Sequence, residues 1–379
     1  MYIMSKYYEK GSKTQSILNL ILITKKRKIM NKITKLFLVI LSASSLTLSA
    51  IAGELSVTGG ATATYKIGGA DKNAGKGIGV SNELDFNASG ELDNGFTWTW
   101  QAQLDGATAT NDDTKLVVGT PYGDLGFYVS EGDISTKFKY DIGAMGPGSD
   151  YTGPSTIQHG VTMNSYNNMG YATPSGLLPY GISAKVSYAP NLSSAEGASA
   201  KADGAVATKA LGTDAVAYAI HATPIDGLKV GADYAVLSGG TDVNYHAESA
   251  SAYAKYTQGP LSVGFARSGY QPSEDKGVAA GTAGGSTYDT NMYGVQYAVN
   301  DALSLSLSQE KATQNGGSAL SGASAATAGT DVNMKITHIQ AAYVVGGATI
   351  GLAIADADNA DYTEDREEKT TTLSIAMAF

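Results

Sequence analysis

The sequence predicts an all-β fold, a transmembrane antiparallel β-barrel of 16 strands. Two observations favour it. Segments of about ten residues alternate apolar and polar side chains, the pattern of strands with lipid on one face and water on the other. The connections alternate between turns of a few residues and long segments rich in Gly, Ser, Ala and Asp, an asymmetry typical of outer-membrane barrels. A soluble β-sandwich has no reason to sort its loops in this way.

The alternation is clearest in GFTWTWQAQLDG, residues 95–106. Phe96, Trp98 and Trp100 point to one face, whereas Gln101 and Gln103 point to the other. A mean hydropathy of -0.10 agrees with such strands, because only half of each strand touches lipid. The composition, with 46 Gly, 23 Tyr, 9 Pro and no Cys, suits strands and turns without a disulfide or metal-thiolate framework.

Sixteen strands follow from these two patterns, and at this size side chains cannot fill the interior, so water occupies it. The strands are expected near residues 54–66, 79–92, 94–105, 112–120, 123–130, 167–174, 179–190, 213–224, 226–238, 245–258, 259–270, 288–299, 301–312, 332–345, 347–357 and 368–379.

The final segment, KTTTLSIAMAF, is predicted to be the closing strand. Leu373, Ile375 and Met377 would face lipid, and Phe379 would lie at the periplasmic interface, where aromatic girdles form. The first strand, ELSVTGGATATYK, must pair with it, because an open edge in hydrocarbon would leave backbone groups without hydrogen bonds.

The N-terminal region divides into two segments. Residues 30–52 are interpreted as a secretory signal peptide, with Lys32 and Lys35 before a mostly apolar stretch and Ala50-Ile51-Ala52 as the cleavage site. Residues 1–29 fit no such pattern and are interpreted as a non-native upstream extension, with Met30 as the true start. The barrel domain is then 53–379.

Charge sets the expected partners. Residues 1–52 contain nine Lys/Arg and one acid, so 53–379 carry 17 basic and 34 acidic residues, a net charge of −17. Such a polyanion repels nucleic acid and attracts cations. We therefore expect no nucleic-acid partner and a preference for cations.

Enzymatic activity is not expected. No Ser-His-Asp set accompanies a G-x-S-x-G elbow, and His159, His221, His246 and His338 show no metal-ligand spacing. We predict no catalytic residue, no cofactor and no firm metal site. The acidic stretch DADNADYTEDREEK at 356–369 is a candidate calcium-binding outer loop, and a solvated acidic loop is the alternative. Its candidate ligands are Asp356, Asp358, Asp361 and Glu364.

Three local motifs carry a family resemblance: TPYGDLGFYVSEG at 120–132, NNMGYATPSG at 167–176 and the terminal Phe379. Through them the chain resembles the Gram-negative general diffusion porins, in particular the trimeric sixteen-stranded type. The resemblance implies a homotrimer in the cell outer membrane, surrounded by lipid and lipopolysaccharide and inserted by the barrel-assembly machinery. It also implies that Phe379 is the C-terminal assembly signal.

The resemblance further implies that the loop after the fifth strand, residues 131–166, folds into the lumen and constricts the pore. An ordinary surface loop over the barrel mouth is the alternative. The charged residues that would set selectivity in this loop are Glu131, Asp133, Lys137, Lys139, Asp141 and Asp150. Alternation places a second set on the pore wall: Glu83, Asp85, Gln101, Gln103, Asp105, Lys115, Lys185, Lys229, Asp233 and Lys255.

One feature departs from the family. Many such porins carry an arginine cluster opposite the constriction loop, but residues 53–379 contain only Arg267 and Arg366. The wall lysines are the available substitutes, although a lysine is a hydrated point charge rather than a rigid fork. The expected function is passive diffusion of small hydrophilic solutes and ions. A substrate-specific channel and a non-conducting adhesin or structural barrel are the alternatives.

Overall fold

The computed structural model describes residues 54–70, 75–105, 113–145, 157, 159–174, 176–190, 192, 214–238, 243–272, 274–275, 287–315 and 331–379. The predicted upstream extension and signal peptide, 1–29 and 30–52, lie outside these residues. No helix in the described ranges is long and apolar enough to cross a membrane.

Eighteen strands lie in the described residues, and sixteen of them close into one antiparallel barrel. The strands are β1 (Glu54–Ala70), β2 (Gly75–Glu91), β3 (Thr97–Asp105), β4 (Thr114–Thr120), β5 (Gly123–Val129), β6 (Asn168–Ala172), β7 (Ser183–Ala189), β8 (Asp214–Ile225), β9 (Leu228–Ser238), β10 (Val243–Tyr245), β11 (Glu248–Gln258), β12 (Leu261–Gln271), β13 (Glu274–Asp275), β14 (Thr287–Ala298), β15 (Leu303–Asn315), β16 (Val332–Val345), β17 (Ala348–Asp358) and β18 (Glu368–Ala378). The predicted sixteen-stranded barrel is confirmed.

The barrel closes between β1 and β18, as predicted. These strands pair from Gly60 with Ala378 to Ala70 with Glu368. Closure reaches the last residue, because Gly59 and Phe379 exchange two backbone hydrogen bonds of 2.8 and 2.9 Å. Every strand of the barrel therefore has two neighbours, which satisfies the backbone groups that hydrocarbon would leave unpaired.

Strands β1 and β2 are longer than predicted, because they also include 67–70 and 75–78, and their pairing continues to Gly68 and Gly75. This glycine-rich stretch resembles a loop in composition, yet Tyr65, Ile67, Ile78 and Val80 continue the alternation of the strands. The short strands β10 and β13 were not predicted and form a separate two-stranded sheet outside the barrel order.

Each strand has an outer face and a lumen face. In β15, Leu305 and Leu307 are half exposed, whereas the intervening Ser306 and Ser308 are buried. The same alternation continues through β16, β17 and β18, where Ile339, Leu352 and Leu373 stand exposed beside buried polar or small residues. We call the side of the exposed apolar residues the outer face and the opposite side the lumen face. A row of large exposed apolar side chains is what a lipid-facing surface requires.

Candidate functional site

The connection between β5 and β6, called here the β5–β6 segment, contacts the lumen face of strands far from its own ends. The backbone N–H and the hydroxyl of Thr136 donate to Asp233 Oδ1 of β9 at 2.6 and 2.7 Å. The hydroxyl of Ser251, on β11, also contacts the Asp233 carboxylate. Thr136 is fully buried in this arrangement. Its backbone N–H is therefore satisfied by a wall residue rather than by water.

Further along, the segment sits in a recess lined by glycines. Gly264 on β12 and Gly294 on β14 are direct cross-strand partners. A β-carbon placed on Gly264 would lie 2.6 Å from Ile142 Cγ1 and 2.7 Å from the Tyr140 carbonyl oxygen. A β-carbon on Gly294 would lie 2.6 Å from Ile142 Cγ2. The two glycines thus leave the space that the fully buried Ile142 fills.

The segment then reaches the strands beyond the recess. The Ala144 N–H donates to Ser306 Oγ of β15 at 2.8 Å, and the Met145 N–H donates to Gln340 Oε1 of β16 at 2.9 Å. The Met145 side chain lies against Gly351 of β17. These contacts are made with lumen-face residues of β15, β16 and β17.

The returning half of the segment packs on lumen-facing alanines. Val161 and Met163 are buried in a cluster with alanines of β7, β8 and β9. The Val161 N–H donates to Ser249 Oγ of β11 at 3.0 Å. Small residues on the lumen face of these strands therefore make room for the segment, as the glycines do on β12 and β14.

The predicted charges of the segment have different roles. Glu131 pairs with Lys115 of β4 at 3.2 Å, and Asp141 pairs with Lys255 of β11 at 2.9 Å. Asp133 closes the base of the segment, because the Met163 N–H donates to its Oδ1 at 3.2 Å. Lys139 is exposed. The predicted Asp150 lies outside the described residues.

Lys137, also predicted as a selectivity residue, is almost fully buried and lies over the Phe138 ring at 5.5 Å. Burial lowers the pKa of its ammonium group, and the carboxylates of Asp133 and Asp233 oppose that shift. Its position suits it to hold the segment together more than to meet a solute.

The predicted wall residues lie on two sides of the barrel. On β2, Asp85 accepts hydrogen bonds from Gln101 and Gln103 of β3 at 2.8 and 3.1 Å. Glu83 lies two residues before Asp85 on the same strand, and its side chain is therefore on the same face. Asp105 pairs with Glu83 in backbone register, and its side chain lies outside the described set. Lys115 sits opposite the exposed Leu116 and therefore on the lumen face.

The remaining wall residues stand on β7, β9 and β11. Lys229 and Lys255 are direct cross-strand partners, an arrangement that like charges disfavour. Asp141 relieves it by pairing with Lys255. Lys185 on β7 interacts electrostatically with Lys139 of the segment. Asp233 lies on this wall too, where it anchors Thr136.

Three of the four candidate calcium ligands are engaged by basic side chains. Asp356 pairs with Lys369 at 3.4 Å, Asp361 pairs with Arg366 at 2.8 Å, and Asp358 pairs with Lys335. Glu364 is exposed. Within the described ranges, no group of three or more His, Asp or Glu side chains is arranged to hold a metal ion. Calcium binding by this acidic stretch stays a prediction.

Sequence reasoning missed the residues that seat the segment: Thr136, Ile142, Met145, Gly264, Gly294 and Gly351. It also missed a buried cluster of Tyr140, His159, Glu310 and His338, whose geometry is described below. The usable signal was glycine at lumen-face positions of strands that otherwise alternate well, because such glycines mark a close approach of backbone. The histidines, interpreted as scattered polar residues, gave no signal in their spacing.

No family model and no curated protein matches the chain. Solved structures do match its fold. An OmpT loop L8 deletion mutant, an outer membrane protein of Vibrio cholerae, has a TM-score of 0.60 at 13% identity, covering 86% of this chain and 100% of its own. Salmonella typhi OmpF in complex with daunomycin has a TM-score of 0.61 at 14% identity, covering 86% and 98%. An anion-selective porin from Comamonas acidovorans has a TM-score of 0.59 at 12% identity, covering 86% and 100%.

At these identities the likeness establishes the fold. The class is the closed sixteen-stranded antiparallel β-barrel with an apolar outer face, the fold of these outer-membrane proteins. Within that class, the solved structures that the chain resembles include porins.

Proposed function

We propose that this outer-membrane barrel is a porin that lets small hydrophilic solutes and ions diffuse passively through a water-filled channel. The observation that carries the proposal is a closed sixteen-stranded barrel whose lumen face bears Glu83, Asp85, Gln101 and Gln103. Sixteen strands enclose more space than side chains fill, and charged or amide groups on the lumen face keep that space wet. Diffusion down a gradient needs no cofactor or catalytic residue.

The β5–β6 segment is proposed as the constriction of this channel. Its anchors on β9, β15 and β16, through Thr136, Ala144 and Met145, support a course across the barrel interior. On this course, the described residues of the segment lie against the β9–β17 side of the lumen. Solutes would pass between the exposed face of the segment, which includes Lys139, and the acidic wall of β2.

Charge is distributed unevenly across that opening. Lys229 and Lys255 stand on β9 and β11, whereas Glu83 and Asp85 stand on β2, which is eight strands from β11 in both directions around the barrel. Glu83 and Asp85 therefore lie across the barrel from Lys229 and Lys255. Neither arginine contributes, because Arg267 is on the outer face and Arg366 is in the β17–β18 connection. We propose that lysines supply the basic side of the field and that the net charge favours cations overall.

Conductance of residues 53–379 in a planar bilayer tests the channel. We expect stepwise insertion of open, ohmic channels. A second variant replaces residues 134–162 with a short Gly-Ser linker, which the contact between Asp133 and Met163 makes feasible. Its conductance should be higher if the segment obstructs the pore. Current block that saturates with one solute would favour a substrate-specific channel, and insertion without current would favour an adhesin or structural barrel.

Ion preference is tested by the reversal potential across a KCl gradient. We expect the native channel to favour K⁺, and the double variant Glu83→Gln/Asp85→Asn to favour it less, because two carboxylates leave the lumen wall. The matched control Glu364→Gln/Asp365→Asn removes two charges from the exposed β17–β18 connection and should leave the reversal potential nearly unchanged. An anion preference in the native channel would contradict the charge argument.

Assembly as a homotrimer is also proposed. One of the structural neighbours, in-vitro folded OmpT of Vibrio cholerae, occurs in a trimer form. Ala250, Ala252 and Ala254 lie on the outer face of β11, and small residues there are compatible with close contact between barrels. Lipid and lipopolysaccharide around the outer face, and insertion by the barrel-assembly machinery through Phe379, belong to the same proposal.

A further inference from the structure

A buried carboxylate on the barrel wall collects side chains from the β5–β6 segment. Glu310 lies on the lumen face of β15 and is fully buried. The Tyr140 hydroxyl donates to its Oε1 at 3.4 Å, and His159 Nε2 lies 3.6 Å from its Oε2. His338 of the neighbouring β16 approaches from the wall, with Nε2 3.9 Å from Oε1. Two residues of the segment and two of the wall thus meet at one carboxyl group.

The cluster is largely shielded from solvent, with the His159 side chain 8% exposed and the Glu310 side chain fully buried. The Phe138 ring packs edge-on against the His159 ring, with centroids 4.9 Å apart. Both ring nitrogens of His159 and of His338 are buried without a hydrogen-bond partner in the described residues. The charges that act on this cluster come from the segment and from β9: Lys137 acts on His159, and Asp133 of the segment and Asp233 of β9 act on Lys137.

His159 therefore binds a proton in this site only at low pH. Burial, with a smaller contribution from the Lys137 ammonium, lowers the pKa of His159 to about 3. A proton on His159 would place a positive charge in a shielded site and beside Lys137. In water, by contrast, a histidine binds a proton below its ordinary pKa of about 6.5.

We propose that Glu310 is a positioning residue that holds the β5–β6 segment against the wall through the Tyr140 hydroxyl, and that protonation of the adjacent His159 in acid releases this hold. The inference rests on the proposed channel function and adds to it a pore width that depends on pH. The segment is seated at neutral pH, where His159 is neutral because its pKa is about 3. As the pH falls, the released state takes up protons that the seated state excludes.

The direction of the pH effect follows from the pKa of His159. Its pKa is lower in the seated state than in water, so the seated state binds fewer protons between about pH 6.5 and 3, and its stability falls as the pH falls. The equilibrium constant for release of the segment should be about 100-fold higher at pH 4.5 than at neutral pH, because pH 4.5 is two units below the ordinary histidine pKa of about 6.5. This increase comes from His159 alone. Release widens the opening, so conductance corrected for bulk conductivity should increase with acid.

Single-channel conductance between pH 7.5 and 4 tests the inference. We expect the native channel to widen below about pH 6. His159→Gln should weaken this response, whereas His246→Gln, which changes an exposed histidine outside the cluster, should keep it. Glu310→Ala should raise conductance at neutral pH, and Glu310→Gln, which retains an acceptor for the Tyr140 hydroxyl, should restore the neutral value.

A crosslink separates segment release from titration of other pore charges. The chain has no cysteine, and Ala144 lies in hydrogen-bond contact with Ser306. The double variant Ala144→Cys/Ser306→Cys should lose the acid response when oxidised and regain it on reduction. An oxidised channel that still widens with acid, or a native channel with a flat profile, would overturn the inference. A chain that inserts but carries no current at pH 7.5 would instead overturn the proposed function.

Discussion

Replacing Gly264 with valine is expected to unseat the β5–β6 segment while leaving the barrel intact. A β-carbon at this position would lie 2.7 Å from the Tyr140 carbonyl oxygen, which cannot rotate away as a side-chain tip could. The strand cannot retreat either, because β12 is hydrogen-bonded to β11 and β14 on its two sides. The segment must therefore yield, at a cost of about 1–3 kcal/mol for overpacking.

The measurement is disulfide formation between cysteines introduced at Ala144 and Ser306, whose yield reports the seated population. It should fall in the Gly264→Val background. The matched control is Gly269→Val, on the same strand but on the outer face, where a β-carbon would have only the Asp289 carboxylate at 3.9 Å. Both variants should keep the mobility of a folded barrel on unheated gels. Equal crosslinking in the two backgrounds would argue that Gly264 does not form the seat.

The barrel could be predicted from the sequence because it depends on a local, repeated pattern. Alternation in segments such as GFTWTWQAQLDG assigns each side chain to a face of its strand. Connection length assigns each strand end to the short-turn side or the long-loop side of the barrel. Closure between β1 and β18 then follows from the cost of an open edge in lipid. The error occurred where composition competed with alternation, in 67–70 and 75–78, where glycines indicated a loop although Ile67 and Ile78 continue the strand pattern.

The seat of the segment could not be predicted, because it depends on contacts between distant parts of the chain. Ile142 meets Gly264 and Gly294 only once strand register has set both glycines side by side on the lumen face. His159 and Glu310 meet for the same reason, and neither carries a sequence motif. Charge was the weaker guide: Lys137 and Asp233, predicted as pore charges, are engaged in holding the segment in place.

The seat also explains a division in the lumen-face composition. Strands β8 and β9 carry alanines, and β12 and β14 carry glycines, where the segment lies against the wall. The β2 and β3 wall carries Asp85 and Gln101. Where the wall meets the described part of the segment, small residues make room for it and polar residues such as Ser306 and Gln340 anchor it. The same division would let the segment move without disturbing the ladder of strand hydrogen bonds.

Introducing arginine at Leu307 is expected to destabilise the folded protein in lipid by about 2–4 kcal/mol, the cost of a basic residue near the bilayer midplane. Leu307 lies on the outer face of β15, between its cross-strand partners Val295 and Ile339, which are exposed on the same face. The free energy of unfolding in vesicles, measured by denaturant titration, reports the change. Impaired insertion of the variant would be a second consequence of the same cost.

The control for Leu307→Arg is Thr313→Arg, on the same strand and face but next to Lys311 and hydrogen-bonded to Asn333 at 2.7 Å. This end of the outer face is polar, so arginine should cost only about 0–1 kcal/mol, as it does near the membrane interface. The contrast is diagnostic, because half-exposed surface positions of a water-soluble protein tolerate most substitutions within about 0.5 kcal/mol. Equal and small costs at both positions would mean that the apolar band around Leu307 does not face lipid, and the channel would lose its physical basis.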